Sequence, residues 1–224
     1  MKIHGSVLGA ILLLAMAPAF GQAGLSDTKI ASGLKEALQV GAQNAVKLTG
    51  RPDGYFSNPD IKILLPKELR PLDKPLRAMG QGPKIDAFVL SMNRAAEAAA
   101  PSARKIFEDA ILSMSFDDAR KILTGGDTAA TDYFKAKTTP QLTTAFRPVV
   151  EKTMDQNGVT KQYKQITSQA QNIPFVKSQD LDITHYVVSS ALDGLFYELG
   201  QEEKKIRKDP AAQTTSLLKQ VFGR

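Results

Sequence analysis

The segment at residues 125–128 is one of two places in this chain where residue types and spacing could support chemistry. Gly125 and Gly126 precede a predicted helix and could present backbone N–H groups to an anion at its positive end. The same residues also fit a simple helix stop, with Asp127 as N-cap of the next helix. One turn later, Asp132 and Tyr133 could flank a small polar pocket, or could be surface charge and core edge.

The second place is a polar triad on the side of a helix with an apolar face. Asn93, Arg94 and Glu97 are three and four residues apart, a spacing that brings their side chains together. Such a triad could bind a ligand carboxylate or amide, or could form an ion pair that locks neighbouring helices. Arg147 stands beside Pro148, which frees a helix carbonyl that a guanidinium could satisfy. The candidate ligand-binding residues are Asn93, Arg94, Glu97, Gly125, Gly126, Asp127, Thr128, Asp132, Tyr133 and Arg147.

No residue is assigned a catalytic role, because no nucleophile, nucleotide or metal motif is present in the sequence. His185 has Asp182 three residues earlier, which could orient its ring or cap a helix. Since one histidine makes a poor zinc site, we expect no metal and no cofactor. Glu198 and Glu202 could resemble an acid–base pair, but neighbours on one helix are typical of a salt-bridged surface. An enzyme drawing on an acid–base pool of Asp127, Asp132, Glu97 and His185 remains the alternative to a binding protein.

The elements that would position these residues are helices. Apolar residues recur at three- and four-residue steps along nearly the whole chain, which predicts an all-α protein of about eight or nine helices. We expect residues 24–224 to form a single compact helical domain, with one very short β pair possible between residues 61–64 and 173–176. The turn-rich loop at residues 51–59 is a natural place for recognition, since binding residues concentrate on loops of a rigid scaffold.

Several residues predict where helices begin and end. Gly50 should end the first helix, and Pro83 should open a later one. Ser115 and Asp118 have the spacing of a capping box. Pro140 should open another helix, in which Pro148 predicts a kink. The remaining expected signals are the N-cap Ser26, the stop at Gly158, the caps Asp182 and Asp209, and a last helix with Leu217, Leu218, Val221 and Phe222.

Residues 1–23 have the pattern of a secretory signal peptide. Lys2 precedes a short apolar run at 7–16, and small residues follow Pro18, with cleavage expected after Gly21 or Ala23. We therefore expect a periplasmic protein without a transmembrane segment, because the apolar run is too short to span a bilayer. The chain has no cysteine, which excludes disulfides, thiolate metal sites and lipobox anchoring.

The net charge of +6 indicates which partners are plausible. A mild positive surplus favours weak attraction to anionic envelope surfaces. Basic and acidic residues are interspersed, and aromatic residues do not lie in basic stretches, so we expect no nucleic-acid binding.

Five segments in linked order carry a family resemblance that covers nearly the whole mature chain, from about residue 31 to residue 222. The segments are residues 58–66, 91–97, 125–134, 191–197 and 209–212. Together they resemble the bacterial envelope family called domain of unknown function 4197. The resemblance implies an exported helical protein, and it transfers no catalytic role to any residue, because the family has no assigned activity. Some family members look like lipoproteins, and this chain departs from them by having no cysteine.

The sequence as a whole predicts an exported, periplasmic binding or interaction module of the bacterial envelope. Its partner would be an unknown ligand or an envelope protein. The alternatives are a hydrolase acting on an envelope component and a purely structural protein that braces a partner.

Overall fold

Helices make up almost all of the regular structure of this protein. The computed structural model describes residues 27–158, 161–165 and 182–213, together with residues 215 and 219. The α-helices are α1 (Asp27–Gly50), α2 (Arg70–Ala78), α3 (Gly82–Ala99), α4 (Ala103–Leu112), α5 (Phe116–Thr124), α6 (Ala129–Gln156) and α7 (Ile183–Lys208). Short 3₁₀ turns follow α3 at Ala100–Ser102 and α7 at Pro210–Ala212, and residues 161–165 are helical as well.

The all-α prediction is confirmed for the described residues, while two details of it need correction. Seven α-helices have described bounds, against the eight or nine expected. Residues 61–64 do not form a strand, because the backbone of Ile63 bonds to a side chain of α3. The other half of the expected β pair, residues 173–176, lies outside the described residues, as do Ser26 and the last predicted helix.

One large cluster of buried apolar residues receives side chains from every one of these seven helices. The long helices α1 and α6 pack against α7, and α3 packs against α6. Phe107 of α4 meets Phe134 of α6 edge to face, with ring centroids 5.1 Å apart. Burying these faces is the main force that holds the helices together.

Helix α6 is continuous across both of its prolines, so the predicted start at Pro140 is wrong. The physical reason is its buried stripe, which repeats every fourth residue without a break. The stripe consists of Ala130, Phe134, Thr138, Leu142, Phe146, Val150 and Met154. The packing of that stripe offsets the backbone hydrogen bond that each proline removes.

Candidate functional site

The segment between α1 and α2 is an irregular loop that runs close to the core. We call residues 51–66 the anchored loop. Gly54 approaches the end of α1 so closely that a Cβ atom there would lie 2.4 Å from the carbonyl oxygen of Leu48. Only glycine fits this approach, which turns the chain and sends the side chain of Tyr55 into the core. Burial raises the pKa of Tyr55 far above its usual range, so its hydroxyl stays a hydrogen-bond donor.

Glu97 of α3 holds the start of the anchored loop. Its Oε1 accepts the backbone N–H groups of Tyr55 and Phe56, both at 3.1 Å. Its Oε2 accepts from Arg94 at 2.6 Å, and Arg94 also donates to Asp53 at 2.7 Å. The carboxylate is 4 % exposed, and its hydrogen bonds go to the loop backbone and one guanidinium. Glu97 and Arg94 therefore position the loop.

Asn93 of α3 holds the other end of the loop. Its Oδ1 accepts the N–H of Ile63 at 2.9 Å, and its Nδ2 donates to the carbonyl of the same residue at 2.8 Å. This two-way pairing is what a neighbouring β-strand would provide, supplied here by one buried amide. The partner strand that a β pair would require is replaced here by a helix side chain.

Helix α7 secures the loop from a second direction. The hydroxyl of Tyr55 donates to the carbonyl of Ala191 at 2.6 Å, and Asn58 donates to Glu198 at 2.7 Å. Tyr186 donates to the carbonyl of Leu64 at 3.0 Å. Hydrogen bonds from two helices thus fix both the buried and the outer parts of the loop.

The outer side of the anchored loop forms one wall of a groove. The groove has a volume of about 520 Å³ and lies between the loop, α2 and α3. This volume is within the range of about 300–1,000 Å³ that is typical of small-molecule sites. Its apolar lining comes from Phe56, Leu64, Leu65, Ile85 and Val89, and its charged lining comes from Lys62, Arg70, Asp73, Arg77 and Asp86.

The two acidic residues of the groove both face one arginine. Arg77 donates to Asp73 at 2.8 Å and to Asp86 at 2.6 and 3.3 Å. These hydrogen bonds hold the pKa of Asp86 below its usual range, and the nearby charge of Lys62 lowers it further. Lys62 lies 3.9 Å above the ring of Phe56, which keeps its ammonium at the groove wall.

The start of α6 already holds an anion, and that anion belongs to the protein itself. Glu203 of α7 accepts the N–H groups of Ala130 and Thr131, each at 2.9 Å, and the hydroxyl of Thr131 at 2.8 Å. Arg207 pairs with the same carboxylate at 2.8 Å and donates to the carbonyl of Ile122. The N-terminus of α6 therefore does bind a negative charge, and that charge is the buried carboxylate of Glu203.

The other residues of the 125–134 segment surround this internal pair. The N-cap position belongs to Thr128, so the expected cap by Asp127 is wrong. Asp127 instead pairs with Lys208, which lowers the pKa of Asp127, and both side chains are exposed. Gly125 and Gly126 are exposed after α5, as expected of a helix stop.

The remaining candidates lie on α6. Asp132 is exposed on its first turn, and Tyr133 donates to the carbonyl of Ala110 at 3.3 Å. Arg147 lies 3.7 Å from Glu151 on the same helix. None of the ten candidates lines the groove: Asn93, Arg94 and Glu97 hold the anchored loop, and the other seven lie on α6 or in the turn that precedes it.

The acid–base candidates on α7 form hydrogen bonds that cap the helix or join it to its neighbours. Asp182 caps the helix by accepting the N–H of His185 at 2.8 Å, which confirms the predicted cap. Glu202 accepts from Asn44 of α1 and from Lys205. Among the described residues, no group of three or more histidine, aspartate or glutamate side chains could hold a metal ion. None of the described helices is long and apolar enough to cross a membrane.

The groove residues Lys62, Leu64 and Arg70 were not predicted from the sequence as site residues. The sequence marks one of them, since the charged Lys62 stands between the apolar Ile61 and Ile63, whereas Leu64 is apolar like its neighbours and has no such signal. Ile61, Ile63 and Leu65 are buried, whereas Lys62 and Leu64 face outward. An alternating pattern of this kind marks the outward residues as surface available for contact.

These features define an all-helical protein with an anchored loop and a preformed groove of ligand size. The chain belongs to the family described as protein of unknown function (DUF4197), whose model matches residues 24–223. The match confirms the resemblance carried by the five sequence segments. No curated protein and no solved structure matches the chain.

Proposed function

We propose that this chain is an exported binding module of the bacterial envelope and that the groove beside the anchored loop is its ligand site. The observation that carries the proposal is the rigid attachment of the groove wall. Asn93 and Glu97 hold the loop backbone from within, while the loop presents Phe56 and Leu64 to the groove. A site whose walls are fixed in advance loses little conformational entropy when a ligand binds.

A binding role is favoured over the enzyme alternative by how the acid–base candidates are used. Glu97 is the buried member of that pool, and both of its oxygens accept hydrogen bonds from the loop or from Arg94. Asp127 pairs with Lys208 at the start of α6. These contacts support structural roles for the two carboxylates and bring neither of them to the groove lining.

Export is supported by the signal-peptide pattern of residues 1–23. The test is fractionation of the native bacterium followed by amino-terminal sequencing of the purified protein. We expect the protein in the periplasmic fraction, beginning at Gln22 or Gly24. Recovery from the cytoplasm with residues 1–23 intact would overturn this part of the proposal.

The ligand site is tested by native mass spectrometry of the protein purified gently from its own periplasm. We expect a bound small-molecule mass that is lost in Val89→Phe, because Val89 lines the groove and a larger side chain fills it. Ala98→Phe is the matched control, since Ala98 is exposed on the same helix and does not line the groove. Equal retention of the ligand by both variants would locate binding elsewhere.

A further inference from the structure

The groove joins accessible apolar surface to positive charge, which narrows the chemical class of its ligand. This inference rests on the proposed function, since it concerns the same site. Leu64 is a large apolar residue that is 52 % exposed, and Val89 is partly exposed behind it. Covering such surface with an apolar chain is favourable by about 25 cal/mol per Å².

The charges of the groove do not cancel. Asp73 and Asp86 both bind Arg77, so their negative charge is directed to a cation of the protein. Lys62 lies near enough to Asp86 to lower its pKa, but neither Lys62 nor Arg70 forms an ion pair with a carboxylate among the described residues. Three cations against two carboxylates give the lining a positive surplus.

The geometry of Arg70 leaves part of its guanidinium available to a ligand. Its Nε donates to the carbonyl of Leu65 at 3.1 Å, which fixes the side chain against the loop. Within the described part of the chain, its terminal Nη groups make no hydrogen bond. A guanidinium held in this way offers a planar pair of donors of the kind that carboxylates bind.

We propose that the groove binds a single-chain aliphatic carboxylate, with its carboxylate at Lys62 and Arg70 and its aliphatic chain along Leu64 and Val89. The apolar strip contributes affinity through burial, and the two cations select the sign of the head group. The anchored loop carries both Lys62 and Leu64, so it holds one charged and one apolar contact at a constant separation.

The test is isothermal titration calorimetry on the full mature chain with ligands kept below their micelle-forming concentrations. Decanoate is the probe, decyltrimethylammonium has an alkyl chain of nearly the same length with the opposite charge, and inorganic phosphate has negative charge without a chain. We expect decanoate to bind at least about tenfold more tightly than either of the other two, which is about 1.4 kcal/mol.

Three variants separate the charge contribution from a general loss of affinity. Lys62→Gln should weaken decanoate binding by about fivefold, the effect of one partly exposed ion pair. Lys67→Gln is the matched control, because Lys67 is an exposed lysine nearby that does not line the groove. Leu64→Ser should weaken both alkyl compounds alike, since it removes apolar contact without changing charge.

The outcomes distinguish this inference from the proposed function. Equal binding of the two alkyl compounds, equal binding of phosphate, or no effect of Lys62→Gln would overturn the aliphatic carboxylate. The proposed site itself would survive if native mass spectrometry still shows a ligand that is lost in Val89→Phe. Absence of any groove-dependent ligand in both experiments would overturn the two proposals together.

Discussion

Gly194 of α7 is the position where one methyl group should disturb the anchored loop most. A Cβ atom there would lie 2.5 Å from Cε1 of Tyr55 and 3.1 Å from Cβ of Ile61. The ring of Tyr55 is held in place at both ends. The Tyr55 hydroxyl donates to the carbonyl of Ala191, and the Tyr55 backbone N–H donates to Glu97. Gly194→Ala should therefore force a shift of the helix or of the loop.

Two opposing effects set the size of the change. Replacing a glycine inside a helix by alanine stabilises the helix by about 1 kcal/mol. Overpacking a well-filled core costs about 1–3 kcal/mol, and a contact as short as this one belongs at the upper end. We expect a net loss of about 1–2 kcal/mol in the free energy of unfolding.

Gly200 on the same helix is the matched control. A Cβ atom there would come no closer than 3.6 Å to its nearest neighbour, Thr131, which is an ordinary contact. Gly200→Ala should therefore show the helix-forming gain alone, about 1 kcal/mol. The two variants should differ by about 2–3 kcal/mol, or by about 5–10 °C in Tm for a domain of this size.

Urea denaturation followed by circular dichroism measures both variants, together with a thermal melt. If the slope of the free energy of unfolding against urea concentration is unchanged, the native and unfolded states have kept their compactness. If Gly194→Ala proves as stable as Gly200→Ala, Tyr55 is not held as firmly as its two hydrogen bonds indicate, and the argument for a rigid groove wall fails.

Three further predictions concern the starts of α5 and α6. Ser115→Ala should cost about 1 kcal/mol in denaturant melts, because it removes the N-cap of a complete capping box. Hydrogen bonds from the hydroxyl and N–H of Ser115 hold the pKa of Asp118 below its usual range, so Asp118 stabilises the fold above that range. Asp118→Asn should therefore be less stable than wild type at neutral pH, and the difference should close as the pH falls below about 4; a constant difference would contradict the capping role. Glu203→Ala should cost about 3–5 kcal/mol because it removes the carboxylate that pairs with the partly buried Arg207 and accepts the N–H groups of Ala130 and Thr131, and adding Arg207→Met should restore part of the loss. A loss below about 1 kcal/mol would show that water replaces the carboxylate.

Helix ends were the most predictable part of the fold, because capping is local chemistry. The capping box at Ser115 and Asp118, the proline at the start of α3 and the cap at Asp182 are all confirmed. Each depends on residues within three or four positions of one another, so the sequence contains the whole interaction. The failed cap at Asp127 shows the limit, because Glu203 of α7 takes the N–H groups of that helix.

The prolines of α2 and α6 lie within helices, against the local preference of proline, because long-range packing stabilises both helices. Pro140 lies inside α6, and the hydroxyl of Thr144 donates to its carbonyl at 3.0 Å. The short helix α2 was not predicted, since it contains Pro71 at its first turn and Pro75 inside. The burial of Leu72 within α2 supplies the stabilisation that local propensity lacks.

The candidate site could be predicted in part. The triad on α3 and the loop at residues 51–59 were both singled out, and the structure brings them together through Glu97 and Tyr55. The groove was beyond prediction because it forms where α2 meets the outer side of the loop. The contact between α2 and the loop depends on the tertiary arrangement, and no residue close to Arg70 in the sequence indicates that Arg70 lines a groove.

The hydrogen bonds that α7 makes to the rest of the chain have a consequence for the order of folding. They join residues far apart in sequence: Tyr55 bonds 136 positions away, Asn44 158 positions away and Ala130 73 positions away. A chain leaving the ribosome cannot close any of these bonds until α7 has been made. Since contacts of long sequence separation slow folding, we expect the nascent protein to remain open to chaperones and proteases until its last long helix emerges.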